Sequence, residues 1–131
     1  MTRPLFAPLE QTSRDVVVVG VSYSECSRGA IVFGADEAYR RGAALRLVQA
    51  CEPPEQDSTQ SGLDTLAMMI HAEYPWLPVI TCARPGRAEE VLLQESAQAT
   101  LMVLGSQECQ ALAGAAACPV IRIQHRHEAL A

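Results

Sequence analysis

The sequence predicts an α/β domain with an open parallel sheet of five strands and helices on both faces. Two short runs of apolar residues, 16–21 and 101–104, are typical of strands that are buried on both faces of a parallel sheet. Segments with apolar residues at helical spacing alternate with strand-like segments along the chain. At 131 residues the chain is long enough to bury one core and too short for two, so one domain is expected.

The first part of the predicted domain contains two strands and the helix that joins them. Residues 16–21 form the first strand, after which Ser24 or Ser27 caps a helix that Gly42 ends in the left-handed conformation. Residues 44–50 alternate in polarity and form the second strand. The predicted inner face of the helix consists of residues at helical spacing, namely Ile31, Ala35, Ala38 and Tyr39.

The middle of the chain repeats the same alternation of strand and helix. Pro53 and Pro54 end the second strand and open a polar loop that runs to a helix capped by Ser61. Residues 79–83 form the third strand, and Gly86 opens the third helix.

The end of the chain supplies the last crossover of the predicted sheet. Residues 101–104 form the fourth strand, 110–117 are a short segment rich in Ala, and 119–123 form the last strand. This order of strands and helices predicts a doubly wound parallel sheet with right-handed crossovers. The last crossover helix is expected to be shortened, because few residues separate the final two strands.

Charge and composition exclude several classes of function. The net charge is −5, and all ten basic residues are Arg, so neither a cluster that binds nucleic acid nor a phosphate-binding or Schiff-base Lys is expected. A leader at 1–15 precedes the predicted domain at 16–124, and a tail follows at 125–131. The leader lacks an unbroken apolar run, which predicts a cytoplasmic protein that does not bind membranes.

Cysteine and histidine residues offer two hypotheses about chemistry. Cys26, Cys51 and Cys109 follow three predicted strands and would meet at one rim of the sheet as a redox-sensitive or metal-binding cluster. The alternative is that they are small buried apolar residues. His125 and His127 form an H-x-H pair without a third ligand, so we expect no metal site.

Five segments together resemble a universal stress protein domain over residues 16–123. They are VVVGVSYS at 17–24, AYRRGAALRLVQA at 38–50, RPGRAEEVLLQES at 84–96, LMVLGS at 101–106 and CPVIRI at 118–123. The resemblance implies the strand order 3-2-1-4-5 and, in many members, ATP at the carboxyl ends of the first and fourth strands. Members that bind ATP carry an Asp after the first strand and a G-x2-G-x9-G-[ST] stretch after the fourth. The glycines of that stretch let backbone amides close around the phosphates.

This sequence departs from the pattern of the members that bind ATP. Ser22 stands where the Asp is expected, and Glu108 replaces the second Gly, which puts a carboxylate where a phosphate would lie. No G-x-S-x-G nucleophile elbow is present either, so we expect no enzyme and no catalytic residue. The remaining ligand rim would consist of Ser22, Tyr23, Ser24, Cys51, Gly105 and Ser106.

Chain length gives the main argument against ATP. From Gly105 to Cys118 there are 14 residues, which must leave one strand, cross the sheet and start the next. A crossover as long as a strand of roughly 17 Å needs about 11 helical residues. About three residues then remain for both turns, so we predict that the chain has no cofactor. Binding of ATP or AMP at a modified phosphate site is the alternative hypothesis.

The last strand carries the prediction about partners. Its apolar sequence at a sheet edge invites pairing with another chain, and the resemblance implies a homodimer through this edge. We therefore expect a dimeric binding or regulatory module of the stress response, with an unidentified protein as its further partner. The residues expected at the dimer contact are Val120, Ile121, Arg122, which faces outward, and Ile123.

Overall fold

The computed structural model describes residues 15–22, 25–105 and 112–123, without the side chains of 25–27 and 113. These residues form a five-stranded sheet in the order β3-β2-β1-β4-β5, in which every neighbouring pair is parallel. The predicted fold class and strand order are therefore confirmed. The strands are β1 Val16–Gly20, β2 Ala44–Cys51, β3 Val79–Pro85, β4 Leu101–Gly105 and β5 Val120–Ile123.

Helices connect consecutive strands and cover both faces of the sheet. The helices are α1 Glu25–Arg41, α2 Gln56–Glu73, α3 Ala88–Ser96 and α4 Leu112–Ala115, and a 3-10 turn, Pro53–Glu55, precedes α2. Helices α1 and α2 pack on one face, and α3 and α4 pack on the other. This division is the doubly wound arrangement that the alternation of strands and helices predicts.

Side chains alternate between two apolar cores along each central strand. Val17 and Val19 of β1 are fully buried in the core under α1 and α2. Val18, between them, is buried in the core under α3 and α4 together with Met102 and Leu104 of β4. Because both faces are covered, β1 and β4 show the unbroken apolar runs by which the sequence predicts them.

Several predicted helix boundaries are wrong. Helix α2 begins at Gln56, so the segment assigned to a polar loop is its exposed first turn, and Ser61 lies inside it. Of the two predicted caps of α1, Ser27 lies inside the helix and Ser24 lies outside the described residues. Gly86 precedes α3, which begins at Ala88. Polar residues on the solvent side of a helix carry no periodic apolar signal, which explains the late start predicted for α2.

The predicted inner face and end of α1 are partly correct. Ala35 and Ala38 are buried, whereas Tyr39 is half-exposed at the edge of the helix. Gly42 follows the last residue of α1 with φ +68°, as expected for a left-handed residue that ends a helix.

The last crossover contains a short helix, as predicted. Helix α4 has four residues and packs through Leu112 against the core under α3. After it, the backbone N–H of Ala117 donates a hydrogen bond to Oγ of Ser96 at 3.0 Å. Ser96 also donates to the carbonyl oxygen of Leu93 at 2.7 Å, so its buried hydroxyl joins the end of α3 to the approach to β5.

Candidate functional site

The carboxyl ends of β1 and β4 lie side by side in the middle of the sheet. The two strands pair in the register Val19↔Val103, so their last residues, Gly20 and Gly105, reach the same edge. The chain leaves β1 toward α1 on one face and leaves β4 toward α4 on the other. Connections that diverge in this way leave a crevice where open α/β sheets bind ligands.

Ser22 lies just beyond the carboxyl end of β1, where such a crevice is expected. The backbone N–H of Val21 donates to the carbonyl oxygen of Val48 on β2 at 2.8 Å, which extends the pairing of β1 by one residue. Ser22 follows directly and is half-buried. The structure therefore places Ser22 at the predicted rim, and its contact with a ligand stays a prediction.

Cys51 lies at the carboxyl end of β2, on the face covered by α1 and α2. Its Sγ donates to the carbonyl oxygen of Arg84 at 3.7 Å, and its own carbonyl oxygen accepts from the N–H of Gly86 at 3.0 Å. The thiol is half-buried against the apolar core. These contacts hold Cys51 toward β3, the strand on the far side of β2 from β1.

The other predicted site residues are only partly described. Gly105 is buried and pairs with Ile123 of β5. Within the described ranges, no group of three or more His, Cys, Asp and Glu side chains is arranged to hold a metal ion. The residues outside these ranges include Tyr23, Ser24, Ser106, Cys109, His125 and His127, and the side chain of Cys26 is outside them as well.

Gly20 ends β1 at a position where a larger residue would force its neighbours to move. A Cβ atom at this position would lie 2.6 Å from Cδ2 of Leu104 and 3.1 Å from Cδ1 of Leu92. The missing side chain lets α3 and β4 pack closely below the rim.

Gln49 is a rim residue that the sequence analysis missed. It shares a face of β2 with Leu45 and Leu47, which are fully buried, and is itself only 9% exposed. Gln49 thus lies two residues before Cys51 and close to the carboxyl end of β1. The sequence already indicates this polar position, because Gln49 follows Leu45 and Leu47 at alternate positions along β2.

A second polar cluster lies under α3, on the face of β2 and β3 opposite to Cys51. The carboxylate of Glu95 accepts from Nε of Arg46 at 2.8 Å and from Nη1 of Arg84 at 2.9 Å. Arg84 also donates through Nη2 to Gln94 at 2.6 Å, and Cys82 lies in the same shallow cavity. The two guanidinium groups satisfy a carboxylate that is only 6% exposed.

This cluster shifts the ionisation of its members. Burial opposes the charged form of Glu95, but hydrogen bonds from Arg46 and Arg84 outweigh it, and the pKa of the carboxyl is lowered from its usual 4.5. The hydrogen bond to Glu95 in turn raises the pKa of Arg46. The cluster therefore stays charged at neutral pH and acts as a structural tie between α3 and the sheet.

Comparison with known proteins identifies the family. A universal stress protein of Mycobacterium bovis is 36% identical in an alignment of 114 residues that covers 75% of this chain and 37% of the relative. One of Mycobacterium tuberculosis is 28% identical in an alignment of 124 residues that covers 79% of this chain and 46% of the relative. The chain belongs to the universal stress protein family. No family model matches it.

Solved structures of universal stress proteins share the fold of this chain. One structure in complex with cAMP has a TM-score of 0.73 and 18% identity, and the match covers 86% of this chain and 98% of that one. Another, from Archaeoglobus fulgidus in complex with dAMP, has a TM-score of 0.70 and 17% identity, covering 85% and 98%. The chain spans less than half the length of the two mycobacterial relatives.

The part of this universal stress protein that the structure describes contains no helix long and apolar enough to cross a membrane.

Proposed function

We propose that residues 16–124 form a cytoplasmic binding domain of the universal stress response that acts as a homodimer and does not hold ATP in the manner of the family. The observation that carries the proposal is the short distance along the chain between the fixed end of β4 and the fixed start of α4. Only six residues, 106–111, separate Gly105 from Leu112. The domain is proposed to regulate by binding, without catalysis.

The two ends of that segment support the proposal. Gly105 is buried and paired in the sheet, and Leu112 is buried in the core under α3, so both ends of the segment are anchored in the fold. The six residues between them, SQECQA, include no glycine and one carboxylate, Glu108. A phosphate loop relies on glycines to bring successive backbone amides to the anion, and a carboxylate repels a triphosphate.

A second candidate function is the binding of an adenosine monophosphate. Two structural neighbours contain cAMP and dAMP, and each of these ligands carries one phosphate. A single phosphate needs fewer amide contacts than a triphosphate, so it makes a smaller demand on the chain after β4. Gln49, which is largely buried, and Ser22 lie at the rim where the base or the sugar of such a ligand would bind.

Thermal unfolding with added nucleotides distinguishes the two candidates. A ligand at a hundred times its dissociation constant stabilises a fold by about 2.7 kcal/mol, which raises the midpoint of unfolding by roughly 5–10 °C for a domain of this size. We expect no rise with millimolar ATP and magnesium. A rise with ATP contradicts the main proposal, and a rise with AMP or cAMP alone favours the second candidate.

Variants at Ser22 and Gln49 then test whether an observed rise comes from the rim. Ser22→Ala and Gln49→Leu should remove a rise caused by AMP or cAMP, whereas Gln98→Ala on an exposed turn should not. A rise that survives both rim variants places the nucleotide elsewhere.

The two edges of the sheet differ in a way that supports pairing through β5. At the β3 edge, the outward N–H of Ala83 donates to Oε1 of Gln60 at 2.9 Å, and its carbonyl oxygen accepts from Nε2 of Gln56 at 3.0 Å. Side chains of α2 thus occupy backbone groups that an added strand would need. At the β5 edge, the N–H of Met102 donates to the carbonyl oxygen of Pro119, so the residues on either side of Val120 bond to β4. The backbone groups of Val120 and Arg122 therefore point away from β4.

Substitution of Arg122 tests the dimer. Arg122 is half-buried, on the α3 and α4 side of the strand, rather than fully outward as the sequence suggested. Arg122→Pro removes the outward N–H, and we expect sedimentation at micromolar concentration to show a loss of dimer. Arg122→Ala keeps that N–H and should remain dimeric. A dimer that is equally stable in both variants contradicts the proposed contact.

A further inference from the structure

A groove of about 630 Å³ runs between α1 and α2 on the outer surface of the domain. It is separate from the carboxyl rim and from the cluster around Glu95. The two helices contact each other near their C-terminal ends, which form one end of the groove. There the ring centroids of Tyr39 and Tyr74 lie 5.1 Å apart, and the hydroxyl of Tyr74 donates to Asp36 at 3.4 Å. Its apolar lining consists of Ile31, Val32, Ala35, Leu66, Met69 and Ile70.

The walls of this α1/α2 groove expose apolar side chains to solvent. Val32 on α1 is 63% exposed, and Met69 on α2 is 62% exposed. The neighbouring Met68 is 72% exposed. An exposed apolar strip beside a groove marks a surface that another molecule covers, and methionine adapts to the shape of such a partner.

The charges of the groove identify the partner. Arg28 lies near the start of α1 and Glu73 at the end of α2, and both line the groove and are exposed. Both helices run antiparallel to the same parallel sheet, so they point the same way and the two charges lie at opposite ends. A two-fold axis through the middle of the groove exchanges its ends and brings each Arg28 to the Glu73 of the other copy. An apolar centre with one positive and one negative end is therefore complementary to itself.

We infer that the α1/α2 groove binds a second copy of this chain. In this contact the two grooves face each other, with each helix antiparallel to the same helix of the other copy. Val32 and Met69 of each copy contact the facing apolar walls, and two symmetric ion pairs join Arg28 to Glu73. This contact is independent of the proposed pairing through β5. A chain that used both would assemble beyond a dimer, since each contact has its own two-fold axis.

Charge reversal tests the inference in the full-length Arg122→Pro chain, in which the proposed β5 contact is removed. We expect that chain to self-associate at about 100 µM in low salt, where charged surfaces act most strongly. Arg28→Glu and Glu73→Arg should each weaken self-association by about tenfold or more, because two attractive pairs become repulsive. Arg87→Glu makes the same charge change outside the groove and should have no effect.

Mixing the two reversed variants gives the decisive result. In a mixed dimer, Glu at position 28 faces Arg at position 73 in one pair, and the native residues face each other in the second pair. Sedimentation of the mixture should therefore recover dimers that neither variant forms alone, and the chain with both reversals should recover them as well. A monomeric Arg122→Pro chain, single reversals without effect, or a mixture that stays monomeric would each overturn the inference. The β5 proposal is judged separately, by comparing the unmodified chain with Arg122→Pro.

Discussion

The side-chain oxygen of Gln60 accepts, at 2.9 Å, the hydrogen bond that the N–H of Ala83 would otherwise donate to a sixth strand. A side chain of α2 thus stands in for a neighbouring strand at the β3 edge. Gln60 also donates through Nε2 to Oγ1 of Thr81 at 2.8 Å, and Thr81 donates to Asp64 at the same distance. The edge is held by a small network rather than by one contact.

Removal of the edge glutamines should expose this strand. We expect Gln56→Ala with Gln60→Ala to lower the free energy of unfolding by about 1–3 kcal/mol, because a partly buried N–H and C=O lose their partners. The free edge should also promote aggregation. Urea unfolding and light scattering measure the two effects, with Gln98→Ala as a control that leaves the edge intact. Unchanged stability and scattering would show that the glutamines do not protect the edge.

Glu95→Gln should destabilise the fold strongly for a single charge change. The variant leaves Arg46 and Arg84 without their shared carboxylate under α3, and we expect a loss of about 2–3 kcal/mol in the free energy of unfolding. Glu37→Gln breaks the more exposed pair with Arg41, which lies within one helix, and should cost less than about 1 kcal/mol. Equal losses in the two variants would argue against Glu95 as a structural tie.

Glu95 should also make stability depend on acid. Its pKa is lower in the folded protein than the usual 4.5, because the hydrogen bonds from Arg46 and Arg84 outweigh the effect of burial. The unfolded chain therefore binds the proton more readily, so the stabilisation is complete above about pH 4.5 and is lost as the pH falls through the folded pKa. Urea unfolding between about pH 7 and pH 3 should show a smaller acid loss for Glu95→Gln than for the unmodified chain. Identical acid losses would contradict this assignment.

Two glycines should respond in opposite directions to the same substitution. Gly20→Ala places a Cβ 2.6 Å from Leu104, and we expect a loss of about 1–3 kcal/mol. Gly62 lies exposed within α2 with nothing within 4 Å of a Cβ, so Gly62→Ala should stabilise the fold by about 0.5–1 kcal/mol. Thermal unfolding of both variants checks the contrast, which fails if the two changes have the same sign.

The sequence predicts the central strands well because they consist of unbroken apolar runs. Strands β1 and β4 can be predicted without knowledge of their neighbours, since burial on both faces requires apolar residues along the whole strand. The apolar periodicity does not locate the start of α2 at Gln56, because the first turns of the helix face solvent and the edge of β3. Their glutamines serve a strand more than twenty residues away along the chain.

The polar cluster under α3 could not be predicted for a related reason. Arg46 and Arg84 meet at Glu95 only because β2 and β3 pair in the register that sets Arg46 beside Ile80 and Ala50 beside Arg84. Residue spacing along the chain carries no trace of that register. The burial of Gln49, by contrast, can be predicted from the sequence, because the alternation of β2 places it on the same inward face as Leu47.

The hydrogen bond from Ala117 to Ser96 also bears on how this domain could be re-engineered. It fixes the chain just before β5 to the end of α3, downstream of α4. Additional glycines inserted upstream, between Gly105 and Leu112, would therefore lengthen the connection after β4 while the final strand kept its alignment. We therefore expect the scaffold to accept a grafted anion-binding turn at this one site without any change to the sheet.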